Sequence, residues 1–145
     1  MIFLSTGLAN AVAGDVGLRG AMNGAFLNIY AGAVPVSADA AIGSATLLVT
    51  ISVDGDGVTG LTFGAAANGE ISRSAQESWM GNVVATGNPS FYRLVKSGDK
   101  GNASTSALRV QGTAGPSGDL LTRTTVTLGD PLHVDVYNLQ LPTGA

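Results

Sequence analysis

The clearest pattern of apolar and polar positions lies between residues 46 and 53. Apolar residues alternate there with threonine and serine, and Leu48 is the one apolar residue out of phase. The in-phase apolar residues are Leu47, Val49, Ile51 and Val53. A period of two is the signature of a strand with one buried face. The pattern therefore predicts a half-buried strand over this segment.

A second segment, residues 90–96, carries large apolar side chains on both of its faces. This arrangement predicts a central strand that is covered on both sides. Arg93 shares a face with Phe91, and we expect it either to be paired or to reach the rim of the sheet. Trp79, the only tryptophan, lies close enough along the chain that we expect it to meet Phe91 in the core.

Shorter apolar segments, separated by turns rich in glycine, fill most of the remaining chain. They predict strands near residues 26–30, 61–63, 69–72, 108–111, 120–128 and 132–141. In the last of these we expect Val136 to point inward and Tyr137 outward, and the change of apolar phase near Asn138 predicts a bulge or a new strand partner. The whole pattern predicts an all-β fold, an antiparallel β-sandwich with jelly-roll-like or Greek-key connections, over residues 25–145.

Residues 1–24 differ from this β-rich part. Ser5 is placed to cap a short helix through Leu8 and Val12, and a second helical turn is predicted from Leu18 to Met22. Five glycines weaken both helices, so we expect a short, partly helical N-terminal arm that orders against a neighbouring subunit. Its apolar residues are the predicted interface: Phe3, Leu4, Leu8, Val12, Leu18 and Met22.

Composition changes the picture in one respect. The 145 residues suffice for a single domain with its own core, but only 12% of them are charged, against a usual share of about 25%. So little charge predicts that neighbouring subunits cover part of the surface, and we expect a homo-oligomer, specifically a trimer. Seven scattered basic residues predict no binding of nucleic acid, and the absence of a long apolar run predicts no membrane span.

Candidate chemistry is sparse, and we expect no enzymatic activity, no catalytic residue, no cofactor and no metal. The run Asp54-Gly55-Asp56-Gly57 invites a calcium assignment, but the remaining ligand positions of an EF-hand loop are missing, so a hairpin turn is favoured. His133 and Asp135 lie on one face of a predicted strand without a nucleophile motif, and Glu70 and Glu77 lie in weakly patterned segments.

Several blocks of the chain resemble small structural proteins encoded in the head and tail gene clusters of tailed bacteriophages. The resemblance runs over residues 5–142 and is carried by turn and strand patterns, with Pro35, Trp79 and Gly87 as single matching positions. The matching blocks are residues 24–32, 37–43, 47–51, 91–95, 109–113, 118–120 and 139–142. The resemblance implies a virion protein, assembled in the bacterial host cytoplasm, that contacts copies of itself and the major capsid protein or another virion protein.

Three functions are open at this point. The favoured one is a capsid decoration, or cement, protein that binds and stabilises the head lattice, where such proteins commonly form trimers at three-fold positions. The second is a structural component of the neck, tail or fibre base. The third belongs to another class, a carbohydrate-binding β-sandwich module. It requires an exposed aromatic cluster such as Trp79 with Tyr92 or Tyr137.

Overall fold

The computed structural model describes residues 1–142, and the last three residues of the predicted β-domain lie outside this part of the chain. The described residues form ten strands and two short helices. In chain order these elements are β1 (Phe3–Leu4), α1 (Thr6–Ala13), α2 (Gly17–Met22), β2 (Phe26–Ala31), β3 (Thr46–Val53), β4 (Glu70–Ser72), β5 (Trp79–Asn82), β6 (Phe91–Val95), β7 (Arg109–Gly115), β8 (Leu120–Leu121), β9 (Pro131–His133) and β10 (Asn138–Gln140).

Eight of the strands form one sheet, in the order β1-β7-β6-β2-β3-β5-β9, with β8 added in parallel to β7. The remaining two, β10 and β4, form a small antiparallel sheet. This arrangement confirms the predicted all-β, sandwich-like fold. Strand β6 is buried along its whole length, as expected for a central strand. The change of partner expected near Asn138 is also confirmed, because β9 pairs with β5 whereas β10 pairs with β4.

The strand predicted from the alternating pattern is β3, but its apolar phase is interrupted. Ile51 pairs with Leu27 and Val49 with Ile29, and all four side chains are buried. The register then shifts, and the extra residue is Leu48. A β-bulge of this kind re-aims the side chains beside it. Leu48 is consequently buried, whereas its predicted in-phase neighbour Leu47 is partly exposed.

Three other predicted elements differ from the structure. Residues 61–63 do not return along β3, since Leu61 forms an isolated bridge with Ala25 and Phe63 one with Arg73. Residues 120–128 contain only the short strand β8, because the chain turns away after Leu121. Residues 37–41, which Ser37 as a capping residue predicts to be a single helical turn, form a non-helical turn. In each case tertiary contacts override a weak local pattern.

An aromatic cluster fills the main core. Phe63 packs edge-on against Trp79 with ring centroids 5.4 Å apart, and Tyr137 lies 5.7 Å from Trp79 and 5.6 Å from Tyr92. The expected contact between Trp79 and Phe91 is wrong, because Phe91 stacks on Tyr30, with which it pairs across β6 and β2. The prediction that Tyr137 points outward is wrong as well, since its side chain is buried in this cluster.

The N-terminal segment is part of the domain rather than a separate arm. Both helices form where they were predicted, and the Ser5 hydroxyl accepts a hydrogen bond from the Leu8 backbone N–H. Leu8, Leu18 and Met22, however, are buried in the core of the same chain. Leu4 and Val12 pack partly against that core, and only Phe3 of the predicted interface residues is exposed.

The physical reason for the docked segment lies in a contact that the sequence pattern does not reveal. A Cβ atom on Gly7 would lie 2.4 Å from the carbonyl oxygen of Ser106, so only glycine lets α1 approach this backbone. Strand β1 pairs with β7 directly before the helix, with Phe3 opposite Gln111. The glycine that weakens the helix in isolation is therefore what allows it to bury Leu8.

Leu8→Ala tests whether residues 1–24 belong to the core. The substitution removes a fully buried side chain, and we expect the free energy of unfolding to fall by roughly 2–5 kcal/mol. Urea unfolding followed by tryptophan fluorescence measures this change. The matched control is Val16→Ala, at a valine that is 59% exposed, for which we expect less than about 0.5 kcal/mol. A Leu8→Ala protein as stable as the control would restore the interpretation of a free arm.

Candidate functional site

The second face of the main sheet is covered by the segment of residues 33–43, which three side chains of β6 and β7 hold in place. The side chain of Gln111 donates to the carbonyl of Pro35 at 2.9 Å. Arg93 donates to the carbonyls of Ser37 and Ala40 as well as to the Gln111 amide oxygen. These buried side chains thus supply hydrogen-bond donors for the backbone carbonyl groups of a segment that has no regular secondary structure of its own.

Arg109 completes this network and, within residues 1–142, carries its only direct ion pair. The guanidinium is 2% exposed and binds Asp99 through two hydrogen bonds, of 2.7 and 2.9 Å. It also donates to the carbonyls of Ala38 and Asn102. Burial alone would raise the pKa of the Asp99 carboxyl, but hydrogen bonds from Arg109 and Gly101 outweigh it, and the pKa is lowered. The carboxylate therefore remains charged and paired at neutral pH.

Arg93 is the least compensated charge of the protein interior. Its side chain is fully buried, and its Nη1 atom has no hydrogen-bond partner within the described residues. Burial, followed by the nearby charge of Arg109, lowers the pKa of the guanidinium. Because their donors are directed to carbonyl groups of residues 33–43, the two arginines act as structural anchors for this segment.

A groove lies between β8 and β9. It consists of two adjoining cavities of about 430 and 360 Å³ that share Leu121, His133 and Asp135. Leu121 is 74% exposed and Val136 73% exposed, although Val136 was predicted to point inward. Ile2 lines the same groove from the N-terminal side. Exposed apolar side chains gathered in one depression are typical of a protein-binding surface.

The predicted candidates for acid–base chemistry do not form a catalytic arrangement. His133 and Asp135 both lie in the groove and are exposed, and no hydrogen bond joins their side chains within residues 1–142. Glu77 is held by the backbone and hydroxyl of Thr62, at 2.9 and 2.7 Å, and by the Trp79 indole N–H at 3.0 Å. Glu70 lies in β4 opposite Gln140. Glu70 and Glu77 therefore lie among residues that maintain the fold.

The aromatic residues that a carbohydrate site would require are all in the interior. Trp79 is 1% exposed, and Tyr92 and Tyr137 are equally inaccessible. Tyr137 donates a hydrogen bond of 3.1 Å to the hydroxyl of Tyr92. Burial raises the pKa of Tyr92 to about 12. These rings stabilise the core and do not present a platform for sugar binding.

The Asp-Gly segment forms a turn, as the sequence predicted. The carboxylate of Asp56 accepts hydrogen bonds from the backbone N–H groups of Val58 and Thr59, both at 2.8 Å, and from the Thr59 hydroxyl. These hydrogen bonds, above all that from the Thr59 hydroxyl, lower the pKa of Asp56. Asp54 adopts a positive φ of 55°. The Asp56 carboxylate is thus engaged by the turn itself.

Comparison with protein-family models, with curated proteins and with solved structures finds no match to this chain. Within residues 1–142 no group of three or more histidine, aspartate or glutamate side chains is placed to hold a metal ion. Neither helix of this part of the chain is long and apolar enough to cross a membrane.

Chelation tests the interpretation of the Asp54–Gly57 turn. Because Asp56 is saturated by protein donors, we expect an excess of EDTA to leave the melting temperature unchanged. Differential scanning calorimetry with and without the chelator measures this. A fall of several degrees that calcium reverses would show that the turn binds a cation. As a positive control, Asp56→Ala should lower the melting temperature equally in both buffers, because it removes the turn's hydrogen bonds.

Asp99→Ala tests the anchoring network through its pH dependence. Removing the carboxylate leaves Arg109 buried without its counter-ion, so we expect a loss of roughly 3–5 kcal/mol at pH 7. The pKa of Asp99 is lower in the folded state than its ordinary value of 3.8. The contribution of the Asp99–Arg109 pair to the free energy of unfolding is therefore fully present above pH 3.8. It is lost as the pH falls through the lower, folded-state pKa. Urea unfolding at pH 7 and below pH 3.8 measures this. The free energies of unfolding of wild type and variant should differ at pH 7 and converge in acid.

The control for this series is Asp15→Ala. Asp15 is exposed and its side chain makes no hydrogen bond or ion pair within residues 1–142, so the substitution should change stability by less than about 0.5 kcal/mol at either pH. A constant difference between wild type and Asp99→Ala at all pH values would contradict a role for the ionised pair.

Proposed function

We propose that this chain is a non-enzymatic structural protein of a tailed-bacteriophage virion, and that it binds the head lattice as a decoration protein. The observation that carries the proposal is the groove between β8 and β9. There Ile2, Leu121 and Val136 leave apolar surface in water on a domain whose own core is complete. A surface of this kind suits a contact between subunits of an assembled particle.

The anchoring of irregular segments to the sheet also supports a structural role in a particle. Residues 33–43 form an irregular cover, yet the side chains of Arg93, Arg109 and Gln111 fasten it to the sheet. The N-terminus is fixed too, since the terminal ammonium lies 2.9 Å from the Asp119 carboxylate. Few segments of such a domain are open to local unfolding, which suits a protein exposed on the outside of a particle. The resemblance to phage head and tail proteins points in the same direction.

Immunogold labelling of virions tests the proposal. Antibodies against the purified protein should label the whole head surface of particles whose genome encodes this chain. Particles from which the gene has been deleted are the control and should remain unlabelled. Labelling confined to the neck or tail would contradict the decoration role, and the absence of label from all particles would contradict a place in the virion.

A stabilising role gives a second readout. Heads that lack the protein should release their DNA at a lower temperature than complete heads, because a decoration protein ties neighbouring capsid subunits together. Adding the purified protein back should restore the wild-type release temperature. Unchanged release in the deletion particles would show that the protein does not act as a cement.

A further inference from the structure

We propose that the groove between β8 and β9 is a self-association surface, and that its occupant is the same surface of a second copy of this chain. The inference deepens the proposed function, on which it rests for its biological setting, by naming the partner of this groove. It draws on the open strand edge, the exposed apolar residues, the charges and the size of the groove.

The strand edge is open on the groove side. The carbonyl of Asp130 accepts from the Val83 N–H, and the Val134 N–H donates to the Trp79 carbonyl at 2.9 Å. Successive residues of a strand direct their backbone groups to opposite sides, so His133 directs its N–H and C=O away from β5. Strand β9 ends the main sheet, and no strand of the described residues pairs with this outer side. An unpaired edge is a ready template for another chain.

Apolar side chains surround this edge. Val83 and Val126 are buried at the bottom of one cavity, and Leu121 stands at the junction of the two. Val136 and Ile2 line the second cavity, with exposed fractions of 73% and 39%. Burying them against another apolar surface removes them from water at no cost to the core of either chain.

The charges of the groove are of both signs, which favours a second copy. Arg123, Asp130 and Asp135 line the same cavity. None of the three takes part in a salt bridge within residues 1–142. In a two-fold interface a contact of residue i with residue j of the other copy is matched by a contact of j with i, and only residues on the axis meet their own counterparts. Two such surfaces can therefore bring the arginine of one copy to a carboxylate of the other, whereas a surface of one sign would repel its own copy.

The size of the groove limits the contact. Its two cavities are lined by 18 residues together, and six of these are buried, among them Val83, Leu120 and Val126. The accessible remainder is fewer than the roughly 20–30 residues that each partner contributes to a stable interface of standard size, so we expect a weak, concentration-dependent contact. The proline at the start of β9 has no N–H to donate, so it limits strand pairing along this edge to a short segment. A closed dimer contact is favoured over open-ended growth.

Sedimentation velocity of the full-length chain tests the inference. We expect the wild type to sediment as a dimer of the 14.4 kDa chain, because a two-fold contact closes with two copies, and not as the trimer expected from the composition. Leu121→Asp and Val136→Asp place a charge in the groove and should raise the dissociation constant by roughly tenfold or more. Both positions are exposed, so circular dichroism and the melting temperature should remain those of wild type. The matched control is Val58→Asp, at a valine that is 81% exposed in the turn after β3, and it should associate like wild type.

A charge exchange tests the proposed pairing separately. Arg123→Glu should weaken association, and combining it with Asp130→Lys and Asp135→Lys should restore it, because both copies then carry the reversed charges. A wild type that is monomeric at every concentration would overturn self-association. Leu121→Asp or Val136→Asp chains that associate like wild type, or a charge exchange without restoration, would overturn the groove as the contact.

These outcomes are distinguishable from those for the virion role. Association through the groove together with unlabelled virions would support the inference and contradict the proposed function. Conversely, a monomeric chain that labels the head would contradict the inference and leave the decoration role in place.

Discussion

The structure depends on one polar interaction between the main sheet and the segment that covers its second face. A sheet buried on both sides requires a second layer, and residues 33–43 supply it without forming a helix or strand. Their carbonyl groups would be left without partners if apolar side chains lay beneath them. Arg93, Arg109 and Gln111 provide the donors instead, and Asp99 balances one of the two positive charges. The anchors are charged because guanidinium groups offer several donors in one plane.

Much of the fold could be predicted from the sequence, where the pattern is local. The alternation over residues 46–53 and the doubly apolar segment around Phe91 identify β3 and β6, because side-chain period is a property of the strand itself. The place of residues 1–24 could not be predicted in this way. Gly7 reads as a helix-weakening residue in the sequence, but its role is set by the backbone of Ser106, about a hundred positions away. Contacts of this kind have no periodic signal.

The same limit applies to the groove. Its lining comes from residues 2, 83 and 92 and from parts of segments 119–126 and 130–138, so no single stretch of sequence describes it. One signal was present, since Leu120 and Leu121 are adjacent and face opposite sides of a strand, so both are buried only where the sheet is covered on both faces. Leu120 is buried and Leu121 is exposed. The prediction that Val136 points inward was wrong because the alternation of β9 ends at Val134. After that residue the chain crosses to the small sheet.

The pairing of β1 with β7 has a consequence for folding during synthesis on the ribosome. Phe3 finds its partner only at Gln111, so the N-terminal strand has nothing to pair with until most of the chain has been made. At roughly 5–20 residues per second, this leaves a wait of about 5–20 s. During that time Leu8, Leu18 and Met22, which the finished domain buries, are open to chaperones or to other nascent chains. The order of strands thus makes completion of the main sheet depend on long-range closure between β1 and β7.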